Sequence, residues 1–96
     1  MLIVISYDIE SNKKRRKITE ILEGYGNRVQ KSVFECDLDE KDKLDIYSQL
    51  NNVMQDDRMK NETDSIRFYK ICERCLTQVE IIGSGKIELR ESFVVF

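Results

Sequence analysis

The chain has 96 residues, 35% of them charged, with a net charge of −2, three cysteines and no histidine or proline. This length describes one domain, 1–96, folded rather than disordered. The missing histidine excludes a histidine base and any histidine-ligated metal; no apolar run approaches the ~20 residues of a membrane span.

The charge is unevenly spread. Residues 1–31 carry seven cations against four acids, net +3, whereas residues 32–96 carry nine against fourteen, net −5. Contact with a polyanion is therefore expected at one local patch. The odd cysteine count, and a first apolar segment too short for a secretory leader, point to a reducing cytoplasm.

Residues 2–9 (LIVISYDI) read as a strand with apolar residues on both faces, hence central in its sheet. It carries one acid, Asp8, near its end. Ser11 or Asn12 can cap the helix that follows. In that helix Ile18, Ile21, Leu22 and Tyr25 recur at helical spacing as one stripe. Gly24 and Gly26 end it, as glycine does where a chain turns left-handed.

Residues 28–38 (RVQKSVFECDL) read as a second strand with a bulge or bend near 31–33. Asp39 can cap a second helix over about 40–55, with Leu44, Tyr47, Leu50 and Met54 as its inner face. Residues 64–72 (DSIRFYKIC) read as a third strand and 78–82 as a fourth. Gly83, Ser84 and Gly85 form a joint before the apolar tail SFVVF. The order predicts an α+β sandwich, with both helices on one face of an antiparallel sheet. The tail needs a partner: an edge in its own subunit, or the sheet of a second copy in a symmetric dimer.

Several residue types carry chemistry. Asp8 has two readings, a turn or helix cap and a ligand for Mg²⁺ or Mn²⁺. Magnesium commonly uses one or two carboxylates plus substrate phosphates, and a dimer would supply a second Asp8. A bound metal would polarise a phosphodiester and acidify its water. Lys13, Lys14, Arg15, Arg16 and Lys17 form a cationic block at a helix start, where they oppose the helix dipole. They read as a solvated face or as phosphate ligands. Arg28 and Lys31 extend the block if they lie nearby. Tyr7, Phe34, Phe68 and Tyr69 are strand aromatics, core by default, with Phe34 the one to watch for base stacking. Cys72 and Cys75 form a C-x-x-C. It lacks the four ligands of structural zinc and closes a strand rather than opening a helix, so buried structural cysteines are expected.

Taken in order, these residues resemble a known family. The strand ending Tyr7-Asp8-Ile9, the basic helix start and Gly26-Asn27-Arg28-Val29-Gln30-Lys31-Ser32-Val33-Phe34-Glu35 carry the first half of the likeness. Asp64-Ser65-Ile66-Arg67-Phe68-Tyr69, Cys72 with Cys75, Gly83 and a short apolar C-terminal strand carry the rest. The chain resembles the small CRISPR-associated spacer-acquisition proteins, the non-integrase partners of the CRISPR integrase. They are often described as endoribonucleases.

That resemblance implies a ferredoxin-like fold and a homodimer in which a C-terminal strand, 86–96, crosses to the partner's sheet. It implies Asp8 from each subunit facing its mate and holding Mg²⁺, and metal-dependent cleavage of single-stranded RNA or double-stranded DNA. It also implies a dimer bridging two integrase dimers around captured DNA. Tyr7, Arg15, Lys17, Arg28 and Phe34 match positions linked to activity or nucleic-acid contact. Lys17 departs from an arginine in some relatives, and lysine cannot make the forked phosphate contact. A ferredoxin-like unit has two strands between its helices, so 28–38 is one bent strand or two. A toxin-like messenger-RNA interferase is the alternative function.

Overall fold

The computed structural model describes residues 1–56 and 63–89. Its elements run β1 (Leu2–Asp8), α1 (Asn12–Glu23), β2 (Asn27–Gln30), β3 (Val33–Asp37), α2 (Glu40–Met54), β4 (Ser65–Ile71) and α3 (Glu73–Leu76). The sheet order is β2-β3-β1-β4, with β1 antiparallel to β3 and β4, and β2 antiparallel to β3. Two β-α-β units interleaved in this way make the ferredoxin-like α+β fold. β1 is internal, as its two-sided apolar pattern predicted.

Alternation along the strands sets the two faces. Ile3, Ile5 and Tyr7 of β1 are buried with Phe34 and Cys36 of β3 beneath Ile18 and Leu22 of α1 and Ile46 and Leu50 of α2. Full burial of such an aliphatic side chain contributes roughly 1.5–3 kcal/mol. Ile5 pairs with both Phe34 and Phe68, so this layer crosses three strands. Val4, Glu35 and Tyr69, also in mutual register, lie on the opposite face, where Tyr69 is exposed.

The segment 28–38 is two strands, not one. Gln30 is the last residue of β2 and Val33 the first of β3, and the register shift falls between Arg28 and Gln30. Arg28 pins the turn by donating from Nε and Nη2 to the Lys31 carbonyl at 3.2 and 2.6 Å. An irregularity was expected near 31–33; the chain reverses there and bulges just before.

Four other expectations are corrected. Gly24 has φ −75, an ordinary right-handed value, so no left-handed turn ends α1. Gly26 serves close approach instead, because a Cβ there would overlap the Cys36 sulfur and the Glu35 carbonyl oxygen. In α2 the buried residues are Ile46 and Leu50, while Leu44 and Tyr47 are 66% and 58% exposed. Residues 78–82 form no strand, and Val79, Ile81 and Ile82 are exposed. The predicted dimerisation strand 86–96 falls largely outside the described residues; 86–89 have no regular structure. No helix among the described residues is long and apolar enough to cross a membrane.

Candidate nucleic-acid interface and metal-binding acid

Asp8 is the last residue of β1, opposite Ser65 of β4, and its side chain is exposed. The helix-cap reading belongs to another residue. Ser11 has extended φ −70 and ψ 125, and its Oγ accepts the Lys14 N–H at 3.2 Å. Ser11 thereby satisfies one of the orphan donors of α1. The Asp8 carboxylate makes no hydrogen bond or ion pair among the described residues, and the residue is exposed.

The loop that presents Asp8 is fastened at two points. Asp64 accepts the Glu10 N–H at 2.9 Å on Oδ1 and the Lys14 ammonium at 3.0 Å on Oδ2. Both side chains of the Lys14–Asp64 pair are 1% exposed. The Glu10 N–H first, and then the Lys14 charge, hold the Asp64 carboxyl below its ordinary value, against the upward push of burial. Arg15 closes the same loop from the helix side, donating to the Ile9 carbonyl at 2.8 Å and to Asn12 Oδ1.

The five-cation block therefore divides. Lys14 is buried and paired, which removes it from any phosphate surface and corrects its assignment. Arg15 and Arg16 line a shallow concavity of about 420 Å³ together with Arg28 and Lys31 from the β2–β3 hairpin. Asn12, Thr19, Glu20 and Glu23 complete that wall. Lys17 points round the helix into the α1–α2 groove, beside Ile21, Tyr25 and Val53. Helical spacing sets Lys13 between Arg16 and Lys17, on the exposed side. The hairpin thus brings Arg28 and Lys31 to Arg15 and Arg16, as their extension of the block required.

Tyr7 and Phe34 belong to the core. Tyr7 is 3% exposed and Phe34 fully buried, their rings stacked with centroids 6.4 Å apart. Tyr7 Oη lies 2.7 Å from Thr19 Oγ1, tying β1 to α1 just before Asp8. Neither ring is available to a base. Asp64 is the site residue to which the sequence reading gave no role, although the segment 64–69 was part of the family likeness. Its only local signal is an acid at a strand start, the position that also suggests a cap.

Oxygen-rich hard-cation sites need several ligands. Among the described residues no group of three His, Cys, Asp or Glu side chains could hold a metal ion. Asp8 therefore offers one carboxylate, fewer ligands than such a cation takes.

The four-stranded antiparallel sheet in the order β2-β3-β1-β4, with its helices, places the chain in the class of small ferredoxin-like α+β domains. Within it, the model of CRISPR associated protein Cas2 matches residues 1–79, and the chain belongs to that family. It is 45% identical over 85 residues to "CRISPR-associated endoribonuclease Cas2 1" of Chloroflexus aurantiacus, covering 88% of this chain and 87% of that protein. It is 33% identical over 100 residues to "CRISPR-associated endonuclease Cas2" of Halalkalibacterium halodurans, covering 98% and 99%. The crystal structure of Streptococcus pyogenes Cas2 at pH 6.5 superposes with a TM-score of 0.70 at 32% identity, over 86% of this chain and all of that one. A chain of a partial Cas6-RT-Cas1–Cas2 complex gives 0.71 at 28% identity, over 84% and 89%.

Proposed function

We propose that this protein acts in CRISPR adaptation as a homodimeric subunit that binds captured DNA and bridges integrase dimers. The observation that carries this reading is the convergence of Arg15, Arg16, Arg28 and Lys31 on one concave wall. Clustered cations release counterions from a nucleic-acid backbone, so affinity falls steeply with salt. The structural neighbour in a complex that also contains Cas1 supports the integrase as partner. Charge reversal at Arg16 and Lys31 tests the reading by DNA binding against salt. The double variant should bind far more weakly, and its log–log salt slope should shrink by about one for each phosphate no longer neutralised. An unchanged slope and affinity would move the interface elsewhere.

A second reading has a specific observation behind it. The Asp8 carboxylate is exposed, has no hydrogen bond or ion pair among the described residues, and stands at the end of a paired strand, as a ligand of a hard cation would. Asp8 and its counterpart from a second copy would hold Mg²⁺ or Mn²⁺, which supplies Lewis-acid activation of a phosphodiester and of water. Relatives named endonuclease and endoribonuclease favour such an activity, and duplex DNA and single-stranded RNA are the substrates on which to test it. Asp8→Asn should abolish metal-dependent cleavage of both labelled substrates while leaving the thermal midpoint within about 2 °C, as for other exposed substitutions. Equal cleavage by wild type and variant, or cleavage that survives chelator, excludes Asp8 as the metal ligand.

A further inference from the structure

We propose that Cys72 and Cys75 form a reversible dithiol–disulfide couple at the exit of β4. Sequence alone set this C-x-x-C at the close of a strand and buried it. Cys72 follows directly on β4 but caps α3, so the motif opens a helix, and both thiols are exposed. The Cys72 sulfur accepts the Cys75 N–H at 3.4 Å, which draws it over the backbone of its partner cysteine. Side chains three apart on a helical turn lie on one side of it, which sets the two thiols together at the start of α3.

The two thiols are also chemically unequal. Hydrogen bonds from the Cys75 backbone and thiol lower the Cys72 pKa, whereas the Cys72 sulfur raises that of Cys75. Cys72 is the attacking group and Cys75 the resolving one. Cys36 is excluded from this chemistry. It is fully buried, and burial, followed by the Glu35 charge, pushes its thiol up to about 11. A thiophilic metal is the competing ligand. Among the described residues it would find no cluster of three suitable side chains, which favours the disulfide.

The reaction needs a low-molecular-weight disulfide as oxidant. The Cys72 thiolate attacks one sulfur of oxidised glutathione, forming a mixed disulfide and releasing one glutathione thiolate. The Cys75 thiol then loses its proton and attacks the Cys72 sulfur, expelling the second glutathione. One protein disulfide forms, two electrons pass to the oxidant, and two glutathione thiols leave with the two protons.

The test incubates the full chain with oxidised glutathione, quenches with acid, and counts maleimide labels in denaturant by intact mass. Wild type should fall from three labels to one, and Cys36→Ser from two to none. Reduced glutathione in excess should restore both losses. Cys75→Ser should instead trap a glutathione adduct on Cys72, whereas Cys72→Ser, whose serine can still cap α3, should form an adduct far more slowly. Circular dichroism confirms that each variant is folded. Retention of three labels, or glutathione adducts on wild type without an internal disulfide, overturns the proposal. So does protection of both thiols by one equivalent of zinc with no disulfide formed.

Discussion

An ammonium group taken out of water costs several kcal/mol unless a charge and hydrogen bonds replace its hydration. Lys14 meets that condition through Asp64 at 3.0 Å. Lys14→Ala leaves a buried carboxylate without its cation and should destabilise the fold by about 3–5 kcal/mol in urea unfolding. Arg16→Ala, two positions on and exposed, should cost under about 0.5 kcal/mol. Equal losses would remove the distinction drawn between them. The pair also has a pH signature. Asp64 is held below its ordinary value of 3.8 in the folded chain. Its contribution is fully present above that value and is lost as pH falls through the lower, folded one. The stability gap between wild type and Asp64→Asn should therefore close on acidification below about pH 4 and stay constant from about pH 5 to 8. A gap that widens in acid would contradict this assignment.

At the level of elements, α1 and β1 were legible because two local signals agreed in each. The stripe Ile18–Leu22 and a capping Ser11 fix α1, and apolar residues on both faces fix β1 as internal. Ser11→Ala should lower stability by about 1 kcal/mol and shorten α1 at its start, measured by amide exchange of Lys14 and its neighbours. The rotation of α2 was not legible. The set Leu44, Tyr47, Leu50 and Met54 and the set Ile46, Leu50 and Val53 both satisfy a helical period; packing into the core buries Ile46 and Leu50, keeps Val53 and Met54 against it and leaves Leu44 and Tyr47 outside. Residues 78–82 have strand composition, but a strand is made by its pairing partner, which composition does not encode. The close contact of Gly26 with β3 was equally hidden. Gly26→Ala should cost about 2 kcal/mol or more, since backbone as well as the Cys36 side chain must shift. A loss below about 0.5 kcal/mol, the range of ordinary surface changes, would show that the hairpin yields easily.

For the molecule as a whole, net charge −2 describes no single surface. The cations of residues 1–31 reach one concavity because α1 and the β2–β3 hairpin lie side by side at one edge of the sheet. Sequence named Asp8 and all four cations of that wall, but could not sort Lys14 from Arg16. The sorting depends on Asp64, 50 positions away, and no local pattern carries such a pairing. The same separation has a bearing on the order in which the molecule assembles. The Lys14 and Glu10 bonds to Asp64 span 50 and 54 residues, so they close only after most of the chain has been ordered. A nascent chain with β1, α1 and the hairpin in place holds the Asp8 segment through Tyr7 and Ile9, without the Asp64 bonds or the β4 pairing. Its amide at Glu10 should gain protection together with β4, not with β1, in pulse-labelled refolding. The Asp64 bonds to this segment therefore form only once β4 has been synthesised, later than the residues of the cationic wall.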